Sequence, residues 1–160
     1  MLSCSSAAAL APASSPWLGV SFRQLLIVAG GGRELSWSST RIASALLSHS
    51  QGRSVVRLLH GGARGADTAI GGACERLGWS VEILHPQWQR YGRAAGPLRN
   101  RQLLQRACQL AESAPWPGHP PVAVLVLAFP GGRGTASLVA QARQWQRRSA
   151  VPIELAQVQP

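Results

Sequence analysis

Three times in this chain an apolar run stops at a turn of glycine and arginine, and a helix-like segment follows. The runs cover residues 25–29, 55–59 and 122–129. The turns behind them are Gly30-Gly31-Gly32-Arg33, His60-Gly61-Gly62-Ala63-Arg64-Gly65 and Gly131-Gly132-Arg133-Gly134-Thr135. A short continuous apolar run bounded by glycine reads as a strand covered on both faces, since a half-exposed strand would alternate. Glycine then lets the backbone reverse sharply and approach a neighbour closely. Repetition of strand, turn and helix restricts the chain to parallel βαβ units. The periodicity predicts strands over 25–29, 55–60, 81–84, 122–129 and 151–155. Helices are predicted over 37–48, 66–77, 98–113 and 135–148. On the second helix Ala66, Ala69, Ile70, Ala73, Cys74 and Leu77 form the stripe that packs on a sheet. The expected fold class is α/β: a Rossmann-like, doubly wound, mainly parallel sheet with helices on both faces. The three turns then share the carboxyl edge of the sheet, where such folds bind ligands.

The length of 160 residues suits one domain with an ordinary core. We place that domain at residues 22–157. Residues 1–21, rich in Ala, Ser and Pro, read as a disordered or low-complexity leader, with no apolar run long enough for a signal peptide or membrane span. Residues 115–121 read as a proline-rich surface loop. Cys4, Cys74 and Cys108 are odd in number and widely spaced, so neither a disulfide framework nor a metal site is indicated. A reducing cytoplasm fits that usage.

Every one of the 16 basic residues is arginine, and with six acids the formal charge is +10. Such an excess suits a polyanion or nucleotide partner. The longest basic run is only Arg147-Arg148, so the scattered arginines read as an ordinary basic surface in which arginine has replaced lysine. The arginines inside the glycine turns are a separate case. A glycine-rich turn that opens a helix leaves backbone N–H groups aimed at one spot, which attracts phosphate.

In the second turn, Asp67 begins the following helix. It reads equally well as a cap on free N–H groups and as an acceptor for a ribose or a water. His60 at the strand end reads as a packing or capping group rather than a catalytic base. Between the third strand and third helix, Trp88 and Tyr91 could stack on a base, and Arg93, Arg99 and Arg101 could fork to phosphate. The competing reading, a buried aromatic anchor with solvated arginines nearby, is the stronger one for Trp88. Arg99 and Asn100 are placed on the first helical turn at the ligand edge. A dinucleotide fingerprint is missing from the first turn, and a P-loop is excluded because the chain has no lysine. The hydrolase nucleophile elbow Gly-x-Ser-x-Gly is missing as well.

Four motifs in this order are found together in one family. They are Gly31-Gly32-Arg33, His60 through Asp67, Trp88 with Gly92-Arg93-Ala94-Ala95-Gly96-Pro97-Leu98-Arg99-Asn100-Arg101, and Ala128 through Ala136. The chain resembles the YspA/YpsA-related branch of the SLOG superfamily, named for the SMF/DprA and LOG proteins, over about residues 24–155. The resemblance implies a Rossmann-like domain that binds a nucleotide or nucleotide-derived ligand across the three loops, as a sensor or processing domain in bacteria or phage. Within the superfamily the LOG enzymes are phosphoribohydrolases, whose Pro-Gly-Gly-x-Gly-Thr loop is followed by a catalytic glutamate. Here Ala136 and Ser137 follow Thr135, and the next acid after the loop is Glu154. The first turn also carries Glu34 where relatives often have aspartate.

Three functional expectations follow. In the leading one, Gly131, Gly132, Gly134 and Thr135 cradle a phosphate with Arg133 or Arg99 as counter-charge. Gly31, Gly32 and Arg33 then face the far side of the ligand, Asp67 meets the ribose, and Trp88 stacks on the base. Gly61, Gly62, Arg64, Gly65 and Asn100 complete the expected binding set. In the second, Asp67 and Arg99 are catalytic residues of a nucleotide N-glycosidase, a reading weakened by the missing acid after Thr135. In the third, less favoured, the +10 charge serves a nucleic-acid-binding module. No metal or resident cofactor and no membrane partner is expected, and a homodimer is compatible with the fold.

Overall fold

The structure is a computed structural model that describes residues 22–113 and 122–160. The leader, Cys4 and the proline-rich segment 115–121 lie outside the described residues. Five strands form one all-parallel sheet: β1 (Gln24–Gly30), β2 (Ser54–His60), β3 (Val81–Ile83), β4 (Ala123–Ala128) and β5 (Ile153–Gln157). Their spatial order is β3-β2-β1-β4-β5. The helices are α1 (Ser39–Ser50), α2 (Ala66–Leu77), a single turn α3 (Trp88–Tyr91), α4 (Ala95–Glu112) and α5 (Arg133–Arg148). The fold is the doubly wound α/β arrangement that the alternating pattern implied.

Each face of the sheet has its own core. Leu25, Ile27, Leu58, Leu125 and Leu127 point to one side, where α1 and α2 cover them with Ile42, Leu46, Ile70 and Ala73. Leu26, Val28, Leu59, Val124 and Val126 point to the other, beneath Leu103, Leu104 and Ala107 of α4 and Leu138 and Ala142 of α5. Every residue of β4 is buried, which explains why that strand shows no polar alternation. Among the described residues, no helix is long and apolar enough to cross a membrane.

Element ends follow local chemistry. Helix α1 starts at Ser39 rather than at 37, because the Ser38 hydroxyl accepts the Arg41 N–H at 3.2 Å. Trp37, freed from the helix, packs edge-on against Phe129 with ring centroids 6.1 Å apart. Helix α4 starts at Ala95, three residues earlier than the sequence suggested. Pro97 sits in its first turn, where a missing N–H costs no hydrogen bond. Arg99 and Asn100 therefore stand in the second turn of α4, not the first. At the edge of the sheet away from the glycine turns, Arg53 and Glu154 form a two-pronged ion pair at 2.8 and 3.0 Å.

Candidate functional site at the carboxyl edge of the sheet

The strand order reverses between β1 and β4, since β2 lies on one side of β1 and β4 on the other. At such a switch point the two following loops part and leave a crevice. Here the crevice is a cavity of about 590 Å³, within the size range of small-ligand sites. Its rim comes from the β1–α1 loop (Gly31, Gly32, Arg33) and the β4–α5 loop (Pro130 to Thr135). Gly61, Asp67, Trp88, Arg99 and Asn100 close the rest. Leu103 and Leu138 form an apolar floor. Nothing in the sequence marked these two leucines, because apolar residues on a helix that covers a sheet look alike whether they pack or line a cavity.

The glycines divide into two kinds. A side chain on Gly31 would meet Ala66 Cβ at 2.6 Å and Phe129 Cβ at 2.9 Å, and one on Gly32 would meet Gly131 Cα at 2.9 Å. These positions are glycine because the loops press together. The Gly32 N–H donates to the Pro130 carbonyl at 2.9 Å, and the Gly32 carbonyl accepts from Ala66 N–H at 3.0 Å. By contrast, a Cβ on Gly132 or Gly134 would meet nothing within 4 Å. Helix α5 begins at Arg133, so the N–H groups of Arg133, Gly134 and Thr135 precede its first internal bond, from Ala136 N–H to the Gly132 carbonyl at 3.0 Å. No side chain caps this end. The open glycines thus coincide with free donors.

Three side-chain atoms on the cavity are buried without a hydrogen-bond partner: Asp67 Oδ1, Arg99 Nη1 and Thr135 Oγ1. Asp67 is 3 % exposed. Its Oδ2 accepts the Ala63 N–H at 3.1 Å, which fixes the second turn. The Arg99 guanidinium lies so close to Gly61 that a methyl group there would overlap its Nη1. Its Nε donates to Asn100 Oδ1 at 3.1 Å, and Asn100 Nδ2 donates to the Gly134 carbonyl at 3.1 Å. The buried Asn100 therefore ties Arg99 to the start of α5.

Burial pushes the Asp67 carboxyl above the usual aspartate range, against the pull of the Ala63 N–H, of His60 and Arg99, and of the Gly61 N–H. Burial also holds Arg99 below the ordinary arginine value, partly offset by Asp67. Behind Asp67 stands His60, 3 % exposed. Its Nδ1 accepts the Gly62 N–H at 3.0 Å, so the neutral ring carries its proton on Nε2, which has no partner. Burial is the largest cause of its lowered pKa. The histidine caps a turn, in line with its sequence reading, and does not line the cavity.

Not every expected residue reaches the cavity. Gly62 is turned toward His85, whose ring a Cβ there would strike at 2.5 Å. Arg64 points to solvent and pairs with Glu34 at 2.6 Å, both side chains largely exposed. Gly65 takes φ +76° before α2 and presses on the Arg33 carbonyl. Gly62 and Gly65 serve the shape of the second loop instead of lining the site, because the loop docks there against its neighbours, while Arg64 is held in a solvent-exposed ion pair. Trp88, 46 % exposed, does line the cavity, with the Arg33 guanidinium 5.2 Å from its ring centre. The Cys74 thiol is buried and pushed up to about 11, so it is no nucleophile at neutral pH. Among the described residues, no group of three or more His, Cys, Asp or Glu could hold a metal ion.

The cavity offers acceptor, cation, hydroxyl and free backbone donors within one pocket. Comparison of the chain with protein-family profiles, curated proteins and solved structures finds no match.

Proposed function

We propose that the cavity binds a nucleotide or nucleotide-derived phosphate ester, as a sensor or processing domain. One observation carries this reading: Asp67 Oδ1, Arg99 Nη1 and Thr135 Oγ1 are desolvated on the same cavity with no protein partner. Leaving such atoms unmatched costs roughly 1–3 kcal/mol each, more for charged groups, and a ligand that satisfies them recovers that cost. A phosphate takes the free N–H groups of Arg133, Gly134 and Thr135, the Thr135 hydroxyl and the Arg99 fork. A sugar hydroxyl donates to Asp67, and Trp88 with Arg33 flanks the outer end for a base. The likeness of the four sequence motifs to the SLOG superfamily supports the same direction.

The test is to purify the protein, denature it and identify the released small molecules by mass spectrometry. Titration calorimetry with ribose 5-phosphate and a panel of nucleoside monophosphates follows. The expected result is one bound phosphate ester per chain. Failure of every phosphate ester to bind, with an empty pocket after purification, overturns the proposal.

The carboxylate of Asp67 supports a second reading, N-glycosidic hydrolysis. In it water adds to the anomeric carbon, the base departs with a proton, and Asp67 stabilises the oxocarbenium-like sugar. Release of free base and ribose 5-phosphate is then expected, and Asp67→Asn should abolish it even at ligand concentrations that saturate its weakened binding. Turnover that survives in Asp67→Asn removes the residue from that role.

A further inference from the structure

The chain spreads its arginines along the sequence, and the fold gathers them. Between Trp88 and Arg148 lie nine of the 16 arginines and only one of the six acids, Glu112. Residues 22–87, which supply α1 and α2, hold seven arginines against four acids. Counted by helix, α4 and α5 carry seven arginines and one acid, whereas α1 and α2 carry two of each. Glu82 of β3 neutralises part of this excess at Arg106. Helix α5 contains no acid at all.

That layer carries a second cavity, of about 700 Å³, in the groove between α4 and α5. Pro97, Leu98 and half-buried Trp145 give it an apolar wall, and the exposed Arg101 and Arg148 line it with no carboxylate among its residues. Trp145 packs its inner side on the core beneath the two helices, so its indole is held rigidly. A second copy of this chain placed isologously on the groove would set arginine against arginine, which disfavours self-association there. A duplex is too wide to enter a concavity of this size, whereas an unstacked base fits.

We infer that the α4–α5 groove is a separate binding surface for single-stranded nucleic acid. A base stacks on Trp145 against Pro97 and Leu98, and Arg101 and Arg148 hold the flanking phosphates. Exposed Arg147, on the same basic helix end, extends the path of the backbone. Stacking on an aromatic platform within a basic groove is the chemistry that binds single strands without reading their sequence. This surface shares no lining residue with the carboxyl-edge cavity, although both draw on the start of α4.

The test is fluorescence polarisation with a short labelled single-stranded oligonucleotide of mixed sequence, titrated at salt from about 50 to 200 mM. Wild type should bind at low salt, lose affinity steeply as salt rises, and bind the matching duplex more weakly. Arg101→Gln/Arg148→Gln should weaken binding about tenfold and flatten the log–log salt slope by about 1.4, the value for two phosphate contacts on a single strand. Arg101, which the sequence offered as a phosphate fork beside Arg99, lines this groove and not the carboxyl-edge cavity. Both side chains are exposed, so this variant folds as wild type and should leave phosphate-ester binding at the other cavity unchanged. Trp145→Leu should cost about tenfold as well. No binding at the lowest salt overturns the proposal, and so does an affinity unaffected by the double arginine change. Loss of binding in Thr135→Val, with the double variant unaffected, would move the oligonucleotide to the carboxyl edge. Equal binding of a polyglutamate peptide, with the same arginine dependence, would replace nucleic acid by an acidic protein partner.

Discussion

Asp67 combines two jobs that a substitution can separate. Its Oδ2 shapes the second loop, and its Oδ1 is held desolvated on the cavity. Asn keeps an acceptor for the Ala63 N–H and removes the buried charge. Asp67→Asn should therefore leave stability in urea at neutral pH within about 1 kcal/mol of wild type, or raise it. Affinity for a phosphate ester should fall by roughly 10- to 100-fold, the range for a hydrogen bond to a charged group. Calorimetry that finds unchanged affinity would remove Asp67 from the binding set. The glycines give a sharper contrast. Gly31→Ala drives a methyl into Ala66 and Phe129 and should cost about 1–3 kcal/mol by overpacking. Gly132→Ala meets open space and should change stability by no more than about 0.5 kcal/mol. It should nevertheless weaken phosphate binding, because Gly132 lines the cavity beside the free N–H groups of α5. Equal destabilisation by the two would contradict the division between packing and lining glycines.

Among the elements, β2 and α2 meet at His60, and their contact is sensitive to acid. The folded protein holds the His60 pKa below its ordinary 6.5 because the ring is buried. A group lowered on folding contributes stability above its unfolded pKa and loses it as pH falls through the folded value. Urea midpoints should thus decline as pH drops below about 6.5, and His60→Asn should reduce that decline. An unaltered pH profile in the variant would assign the effect to His49, whose pKa burial also lowers. Glu82 links β3 to β2 and α4 by pairing with Arg57 at 2.9 Å and Arg106 at 2.8 Å. These side chains are part-exposed, so Glu82→Gln should cost about 1 kcal/mol and lose most of that effect in high salt. Denaturation at low and high salt measures both quantities. The elements themselves were legible in the sequence, because strand and helix periods alternate without interruption. Their ends were less so. The turn Trp88–Tyr91 and the early start of α4 at Ala95 went unread, since a proline within the first turn looks like a boundary when only local preference is considered. The site was legible in most of its glycine turns and in Asp67, Trp88, Arg99, Asn100 and Thr135, all of which line the cavity. Gly62, Arg64 and Gly65 were expected there and do not line it. The sequence could not separate Gly31, which is glycine to let loops touch, from Gly132, which leaves space, because both belong to a Gly-Gly-Arg turn behind an apolar strand.

At the scale of the molecule, the two helical layers differ in charge more than in composition. The α4–α5 side carries most of the excess arginine, while the α1–α2 side is nearer balance. Reversing Arg143 and Arg147 to glutamate should sharply reduce retention on immobilised heparin, whereas the same reversal at Arg23 and Arg76 should reduce it much less. Equal losses would mean that only total charge counts. This asymmetry could not be read along the chain, because it exists only once α4 and α5 lie side by side. The cavity between β1 and β4, in turn, is bounded by loops that hold one another. Gly32 bonds to Pro130 and Ala66, and Asn100 bonds to Gly134. A pocket braced in this way behaves as a mould rather than a clamp. It cannot tighten around a poor ligand, so its selectivity must come from rejecting what does not fit instead of rewarding what does.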